Sequence, residues 1–286
     1  MRLERLPMRL ERPKAMVLTK SHSVGIVGVG KLGETIWKGL EGSEGISLLG
    51  SVRTKKRLLE LPKKLQARVF LDNTSVAKKA RILILAVKPQ QAKSVLLELS
   101  PHLTSDHLVI SVCAALEITQ LRSWMGKKGR LLRAMPNTPV QVREGMTVLA
   151  REDGTSDADY KVAETLFNKI GKTIELEERL FDAATAVSGC GPAFVYVILE
   201  ALSDGGVKVG LPRKVATHLA AQTLLGASSM VLDQGIHPAC LRDDVTTPGG
   251  VTIDGLMALE EGHIRVTLIK AIVAATERSR TLRAQG

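Results

Sequence analysis

Aromatic residues are nearly missing from this chain of 286 residues: they make up 3% of it, while apolar residues as a whole make up 44%. A core must then be built from aliphatic side chains and alanine, which suits helices and strands buried on both faces. The same scarcity removes the stacking platform that single-stranded nucleic acid needs, so no nucleic-acid partner is expected despite a formal charge of +11. Cysteine is equally sparse. Cys113, Cys190 and Cys240 lie far apart, and no CxxC or Cys/His pair brackets a metal site. No metal is expected, and an odd, low count fits a reducing compartment. No continuous apolar run reaches the roughly 18 residues of a membrane span, so the chain reads as soluble with no membrane partner. The first twenty residues hold six basic and two acidic side chains and a near-repeat, Met1-Arg-Leu-Glu-Arg5 and Met8-Arg-Leu-Glu-Arg12. Glu4 and Glu11 are unusual for a transit peptide, and no long apolar stretch follows. Residues 1–20 are expected to be a disordered basic leader on a cytoplasmic protein; a mitochondrial location would follow only if they act as a presequence.

What the chain does have is alternation. Apolar runs at 24–29, 46–52, 81–87, 108–112 and 131–135 are separated by amphipathic stretches, and 147–150 and 173–176 add two further strand candidates. That order predicts a parallel sheet with helices on both faces. The pattern changes near residue 181. Beyond it, 183–204, 213–234 and 252–280 read as long helices, with Ile269, Ile272, Val273 and Thr276 at helical spacing. Pro212 can start a helix and Gly235 can stop one. The expected fold is an α/β Rossmann-type dinucleotide-binding domain over 21–180, followed by an all-α dimerisation domain over 181–286. Three helices bury little alone, so the second domain is expected to pack on another copy of the chain.

The first strand runs into Gly28-Val29-Gly30-Lys31-Leu32-Gly33, and a helix to Leu40 follows. Glycines at those spacings allow a tight turn, a close approach of backbone N–H groups to a pyrophosphate, and close packing of helix on strand. The helix N-terminus then faces the negative charge. The second strand ends Ser51-Val52-Arg53-Thr54-Lys55-Lys56-Arg57. It lacks the acid that would bond a ribose 2′-hydroxyl, and four cations stand in its place. NADPH is the expected cofactor, with NADH the alternative.

Two glycine–proline clusters lie further on. One is Ser188-Gly189-Cys190-Gly191-Pro192; the other runs from Asp243 through Thr247-Pro248-Gly249-Gly250-Val251-Thr252 into a helix. Free N–H groups at Gly250, Val251 and Thr252 would suit a carboxylate, and threonine hydroxyls both donate and accept. Plain capping and turn formation account for these residues equally well from local sequence alone.

With these clusters in view, the chain resembles the pyrroline-5-carboxylate reductases from about Val24 to its end. The strongest element is the stretch from Leu241 to Leu256. Ala86-Val-Lys-Pro89, Arg133-Ala-Met-Pro-Asn-Thr-Pro139, Glu144-Gly145, Ser188 to Pro192 and Asp204 to Pro212 also match in order. The resemblance implies cofactor contacts at Val27, Gly28, Val29, Gly30, Lys31 and Leu32. It places others at Ser51, Arg53 and Thr54, at Asn73, at Ala86, Val87, Lys88 and Pro89, at Val112, Cys113 and Ala114, and at Asp244. It implies a substrate site of Glu178, Thr247, Gly250, Val251 and Thr252, and a homodimer through the helical domain that assembles into a higher ring such as a decamer. Ala115 stands where the family usually has glycine, and Cys190 where serine or alanine is common.

The implied reaction, the last step of proline biosynthesis, passes a hydride from NADPH to the C=N carbon of the cyclic imine 1-pyrroline-5-carboxylate and yields L-proline. In the expected mechanism Thr252 hydrogen-bonds the ring nitrogen, the Gly250–Thr252 backbone holds the carboxylate, and Glu178 orients or charge-balances the substrate. The motifs offer no obvious acid, so the proton comes with the substrate or from water. Two rivals share the plan. A β-hydroxyacid dehydrogenase needs a lysine after the glycine cluster, where this chain has Pro192-Ala-Phe; another imine reductase would differ in pocket shape. A non-catalytic NADP-binding protein need not retain Thr247–Thr252.

Overall fold

The structure, a computed structural model, describes residues 22–284, so the basic leader 1–20 and the expectations attached to it lie outside the described residues. Of these, 22–192 and 272–284 form one compact unit and 193–271 the other. The strands end, as expected, before residue 181, but the units divide at Pro192, and the last turns of the final helix belong to the first unit.

The first unit opens with β1 (His22–Val27), α1 (Lys31–Leu40), β2 (Ile46–Ser51), α2 (Lys55–Glu60), α3 (Lys63–Gln66) and β3 (Val69–Phe70). It continues with α4 (Asn73–Lys79), β4 (Ile82–Leu85), α5 (Pro89–Leu99), β5 (Leu108–Ser111), α6 (Ile118–Met125) and β6 (Arg130–Pro136). β7 (Gly145–Arg151), α7 (Asp157–Asn168), β8 (Gly171–Glu175) and the short α8 (Phe181–Ala184) complete it. The eight strands make one sheet in the order β3-β2-β1-β4-β5-β6-β7-β8. Every pairing is parallel except β6 with β7. Every residue of β4 and β5 is buried, as near-continuous Ile/Leu/Val runs covered on both faces require. Helix starts are locally encoded: Asp72 caps α4 through the Ser75 N–H at 2.7 Å, Ser156 caps α7, and Glu117 with Gln120 closes a capping box on α6. Aliphatic clusters fill both sides of the sheet, with Trp37, Phe167 and Phe181 the largest fully buried side chains.

Three sequence expectations change here. The strand β3 went unread because two residues carry no period. The helix expected over 183–204 is α8, a π-helical turn over Thr185–Gly189, and α9 (Gly191–Lys208). The helix expected over 252–280 is two, α12 (Val251–Glu261) and α13 (Ile264–Ala284), broken where Gly262 ends one and His263 takes a left-handed φ of 55°. Between lie α10 (Arg213–Gln234), which matches its expected bounds, and a short α11 (Pro238–Asp244).

The second unit has almost no interior of its own. Among its residues only Ser203, Ala216 and Ala220 are buried, while Val197, Leu219, Leu225, Leu232, Met257 and Ile269 are exposed. By length and composition, the helical stretches Glu178–Lys208 and Arg213–Gln234 would be enough to cross a bilayer. Charged residues such as Glu200, Asp204 and Lys214 interrupt the runs, which is why no continuous apolar stretch shows in the sequence.

Candidate active site

The C-terminal ends of β1, β2, β4 and β5 lie side by side, and the order of the strands reverses between β1 and β4. In such sheets this edge is where ligands bind. The glycine loop leaves β1 here. Gly28 has φ +96°, which an L side chain rarely adopts, and a Cβ on it would come within 2.6 Å of Val87 and 2.9 Å of the Ala86 carbonyl. A Cβ on Gly33 would meet the Gly28 carbonyl at 2.3 Å, so helix and loop touch there. A Cβ on Gly30 would meet nothing within 4 Å, so the loop is open on that side. No side chain caps α1 at Gly30, and the N–H groups of Lys31 and Leu32 have no acceptor among the described residues. Two free N–H groups at a helix start beside open space form a cradle for a pyrophosphate.

The neighbouring loops are tied to this one. The Val29 N–H donates to the Ser51 carbonyl at 2.7 Å and the Gly28 N–H to Ser51 Oγ at 3.3 Å. Ser51 Oγ donates to Asn73 Oδ1 at 2.7 Å, and Asn73 Nδ2 donates to Glu98 at 2.9 Å. Ser51 and Asn73, far apart in sequence, thus meet at the glycine loop. The Ala86 N–H donates to the Val27 carbonyl at 2.8 Å, and Pro89 opens α5. Cys113 Sγ donates to the Val87 carbonyl at 3.3 Å, tying the segment after β5 to the one after β4. Burial pushes the Cys113 thiol up to about 11, so it is a neutral packing group. Thr54 caps α2 through the Arg57 N–H at 3.2 Å, and Arg53, Lys55 and Lys56 are exposed. Arg57, the fourth cation of that run, turns inward instead.

Within the first unit, the half-buried Glu178 pairs with a buried arginine. Its Oε1 accepts from the Ile118 N–H at 2.8 Å and from Arg133 Nη1 at 2.9 Å. Arg133, only 3% exposed, stacks over the Phe181 ring at 4.6 Å. Burial pulls its pKa down and the Glu178 hydrogen bond opposes that. Nearby, Asp182 accepts from Ser279 at 2.7 Å and pairs with Arg283, which also reaches Glu117 at 3.0 Å. Asn137 donates to the Ser188 carbonyl at 2.9 Å and accepts from the Met146 N–H at 2.8 Å, holding the π-helical turn to β6 and β7. Neither Arg133 nor Asn137 was singled out as a site residue. A lone arginine within Leu131-Leu132-Arg133-Ala134 was the signal available for the first.

In the second unit, Gly249 takes φ +67° and a Cβ on Gly250 would meet Thr247 Oγ1 at 2.4 Å, so the turn needs both glycines. The Gly250 N–H is not free as expected; it donates to the Thr247 carbonyl at 3.0 Å and closes the turn. The N–H groups of Val251 and Thr252, at the uncapped start of α12, have no acceptor among the described residues. Val251 is 89% exposed and Thr252 half-buried, while Thr247 and Asp244 are exposed, Asp244 as the last residue of α11.

Comparison with known proteins identifies the family. The family model described as pyrroline-5-carboxylate reductase dimerisation matches residues 178–282, and one described as NADP oxidoreductase, coenzyme F420-dependent, matches 23–115. The pyrroline-5-carboxylate reductase of Arabidopsis thaliana is 40% identical over 266 residues, covering 92% of this chain and 96% of its own. This chain belongs to that family. Solved pyrroline-5-carboxylate reductases are similar to it. The Plasmodium falciparum enzyme, with NADP bound, has a TM-score of 0.83 at 33% identity, covering 92% of this chain and 99% of that one. The Coxiella burnetii protein has a TM-score of 0.82 at 34% identity, with the same coverage.

Proposed function

We propose that this chain is a pyrroline-5-carboxylate reductase that uses NADPH to reduce 1-pyrroline-5-carboxylate to L-proline, the last step of proline biosynthesis. The observation that carries this reading is the open glycine loop at the sheet's C-terminal edge in a chain of this family. The residues present fit the cofactor. Lys31 and Leu32 offer N–H groups to its pyrophosphate, Ser51 and Asn73 line the adjoining strand end, and Arg53, Lys55 and Lys56 offer cations to a 2′-phosphate. Val87, Pro89, Val112 and Ala114 belong to the two further loops of that edge. Bound there, NADPH supplies a hydride to the C=N carbon.

In the second unit Thr252 is the residue proposed to hydrogen-bond the ring nitrogen. The free Val251 and Thr252 N–H groups hold the carboxylate, and Thr247 shapes the turn beside them. Glu178 is proposed to act on the substrate through its charge, since one oxygen already serves Arg133 and Ile118. Such groups contribute by placing the imine and excluding water. The helical unit is proposed to form a homodimer, and the dimers a ring such as a decamer; its exposed apolar side chains support this. NADPH oxidation with pyrroline-5-carboxylate tests the activity, run beside NADH and a panel of β-hydroxyacids with NADP+. No turnover of the imine, or faster use of a hydroxyacid, would overturn it.

A further inference from the structure

The basic run after β2 reads in the sequence as four equivalent cations for a 2′-phosphate. The structure separates one of them. Arg57 lies in the first turn of α2, where the Thr54 cap fixes its backbone. Its Nε donates to the Val29 carbonyl at 3.1 Å and its Nη2 to the Gly30 carbonyl at 3.4 Å. The same Nη2 meets Glu34 of α1 at 2.5 Å, and Nη1 lies 3.6 Å from Glu60. One planar guanidinium therefore bridges the glycine loop, the helix that follows it and its own helix. Two carboxylates already balance its charge.

The consequence lies in the peptide planes. A trans peptide is planar, so its C=O and N–H point in opposite directions. The Gly30 carbonyl accepts from the Glu34 N–H at 3.0 Å and from Arg57 Nη2 at 3.4 Å, which turns the Lys31 N–H the other way, and that N–H has no acceptor among the described residues. With no side chain of its own, Gly30 is held by these bonds and by its N–H, which donates to the Gly28 carbonyl at 2.8 Å. We infer that Arg57 is a positioning residue for the cofactor pyrophosphate rather than a ligand of the 2′-phosphate: it joins the Glu34 N–H in holding the Gly30 carbonyl, which keeps the Lys31 N–H aimed at the cradle, and its bond to the Val29 carbonyl fixes the turn that the Gly30–Gly28 bond closes. Discrimination between the two nicotinamide cofactors then rests on Arg53, Lys55 and Lys56. The inference rests on the proposed binding of NADPH at the glycine loop.

Calorimetric titration of the full-length apo enzyme with NADP+ and with ADP-ribose, which lacks the 2′-phosphate, separates the roles. Wild-type binding of both ligands checks the cofactor reading; binding of neither would remove that reading and this inference with it. Arg57→Ala is expected to weaken both ligands about tenfold and equally, the size of one lost charge-assisted hydrogen bond. KM for NADPH and NADH should rise together while kcat stays within about twofold, because the loss is one of binding. Arg53→Ala should weaken NADP+ alone. Arg57→Lys should remain weakened, since one ammonium group cannot span three acceptors. Should Arg57→Ala fail to fold, Glu34→Gln keeps the arginine but removes its anchor, and should weaken both ligands about threefold. Weakening confined to NADP+ in the arginine or Glu34 variants, no change in either ligand, or full rescue by lysine would overturn the assignment.

Discussion

The two units of this chain handle apolar surface in opposite ways. The sheet unit closes on itself: β4 and β5 are buried along their whole length, and aliphatic clusters cover both faces. The helical unit, with similar side chains, buries only Ser203, Ala216 and Ala220 and leaves rows of leucine and valine in the open. Aliphatic composition alone therefore does not make a core. A layered sheet supplies two faces that cover each other, whereas single long helices need a second set of helices. The match of residues 178–282 to a family model described as dimerisation supports oligomerisation as the source of that second set.

The largest expected effect breaks this contrast directly. Leu225 and Leu232 lie one heptad apart on α10 and are 58% and 61% exposed. Leu225→Glu with Leu232→Glu should reduce the assembly mass seen by light scattering and abolish turnover, since burying an unpaired charge costs several kcal/mol. An unchanged mass would mean that this face of α10 is not covered by another copy. Leu132→Ala, in the closed unit, should instead lower stability by about 2–5 kcal/mol in denaturant titration. It should leave the mass alone.

How much of this was legible in the sequence follows the same divide. The strands and the glycine loop could be read because β4 and β5 are continuous apolar runs and because the local needs of the loop are glycine's: Gly28 takes φ +96° and Gly33 packs on Gly28 and Ile26, a few residues before it. The break between α12 and α13 was missed because apolar periodicity runs on either side of Gly262 and His263, and a left-handed histidine leaves no local signature. Arg57 was read as one cation among four, since a charge run carries no information about which member turns inward. The Glu178–Arg133 pair was invisible because its partners lie 45 residues apart. Thr252 could be picked out only by resemblance, since the turn before it has an equally good structural use, which the Gly250–Thr247 bond now displays.

A smaller effect sharpens the division of labour. The proposed cofactor cradle lies on the sheet unit, and the proposed imine-binding hydroxyl, Thr252, on the helical one. Thr252→Val keeps the shape of the side chain and removes its hydrogen bond. Turnover should fall about 10- to 100-fold, up to the lower end of the range for a group that handles a proton, because Thr252 only positions the imine. The affinity for NADP+ measured by calorimetry should not change. An unchanged rate would take Thr252 out of the mechanism; a parallel loss of NADP+ affinity would mean that the two roles are not separate.

The smallest effect concerns a flaw inside the closed unit. Ala115 follows β5 with φ 58°, in the left-handed region that favours glycine, the residue the family resemblance leads one to expect there. A Cβ there costs roughly 1–2 kcal/mol, and replacing it with glycine returns about 0.4–1 kcal/mol of that to the unfolded chain as entropy. Ala115→Gly should therefore stabilise the sheet unit by up to about 1 kcal/mol, a rise of at most about 2–4 °C in melting temperature for a unit of this size. Ala115→Val, which adds a branched Cβ in the same backbone conformation, should shift the melting temperature the other way. If glycine lowered it instead, the conformation of Ala115 would not be what the family's glycine answers. The segment after β5 also bears Cys113 and Ala114 of the proposed cofactor site, so a gain in stability without a change in KM for NADPH would show that the strain at Ala115 is structural and not a device for binding.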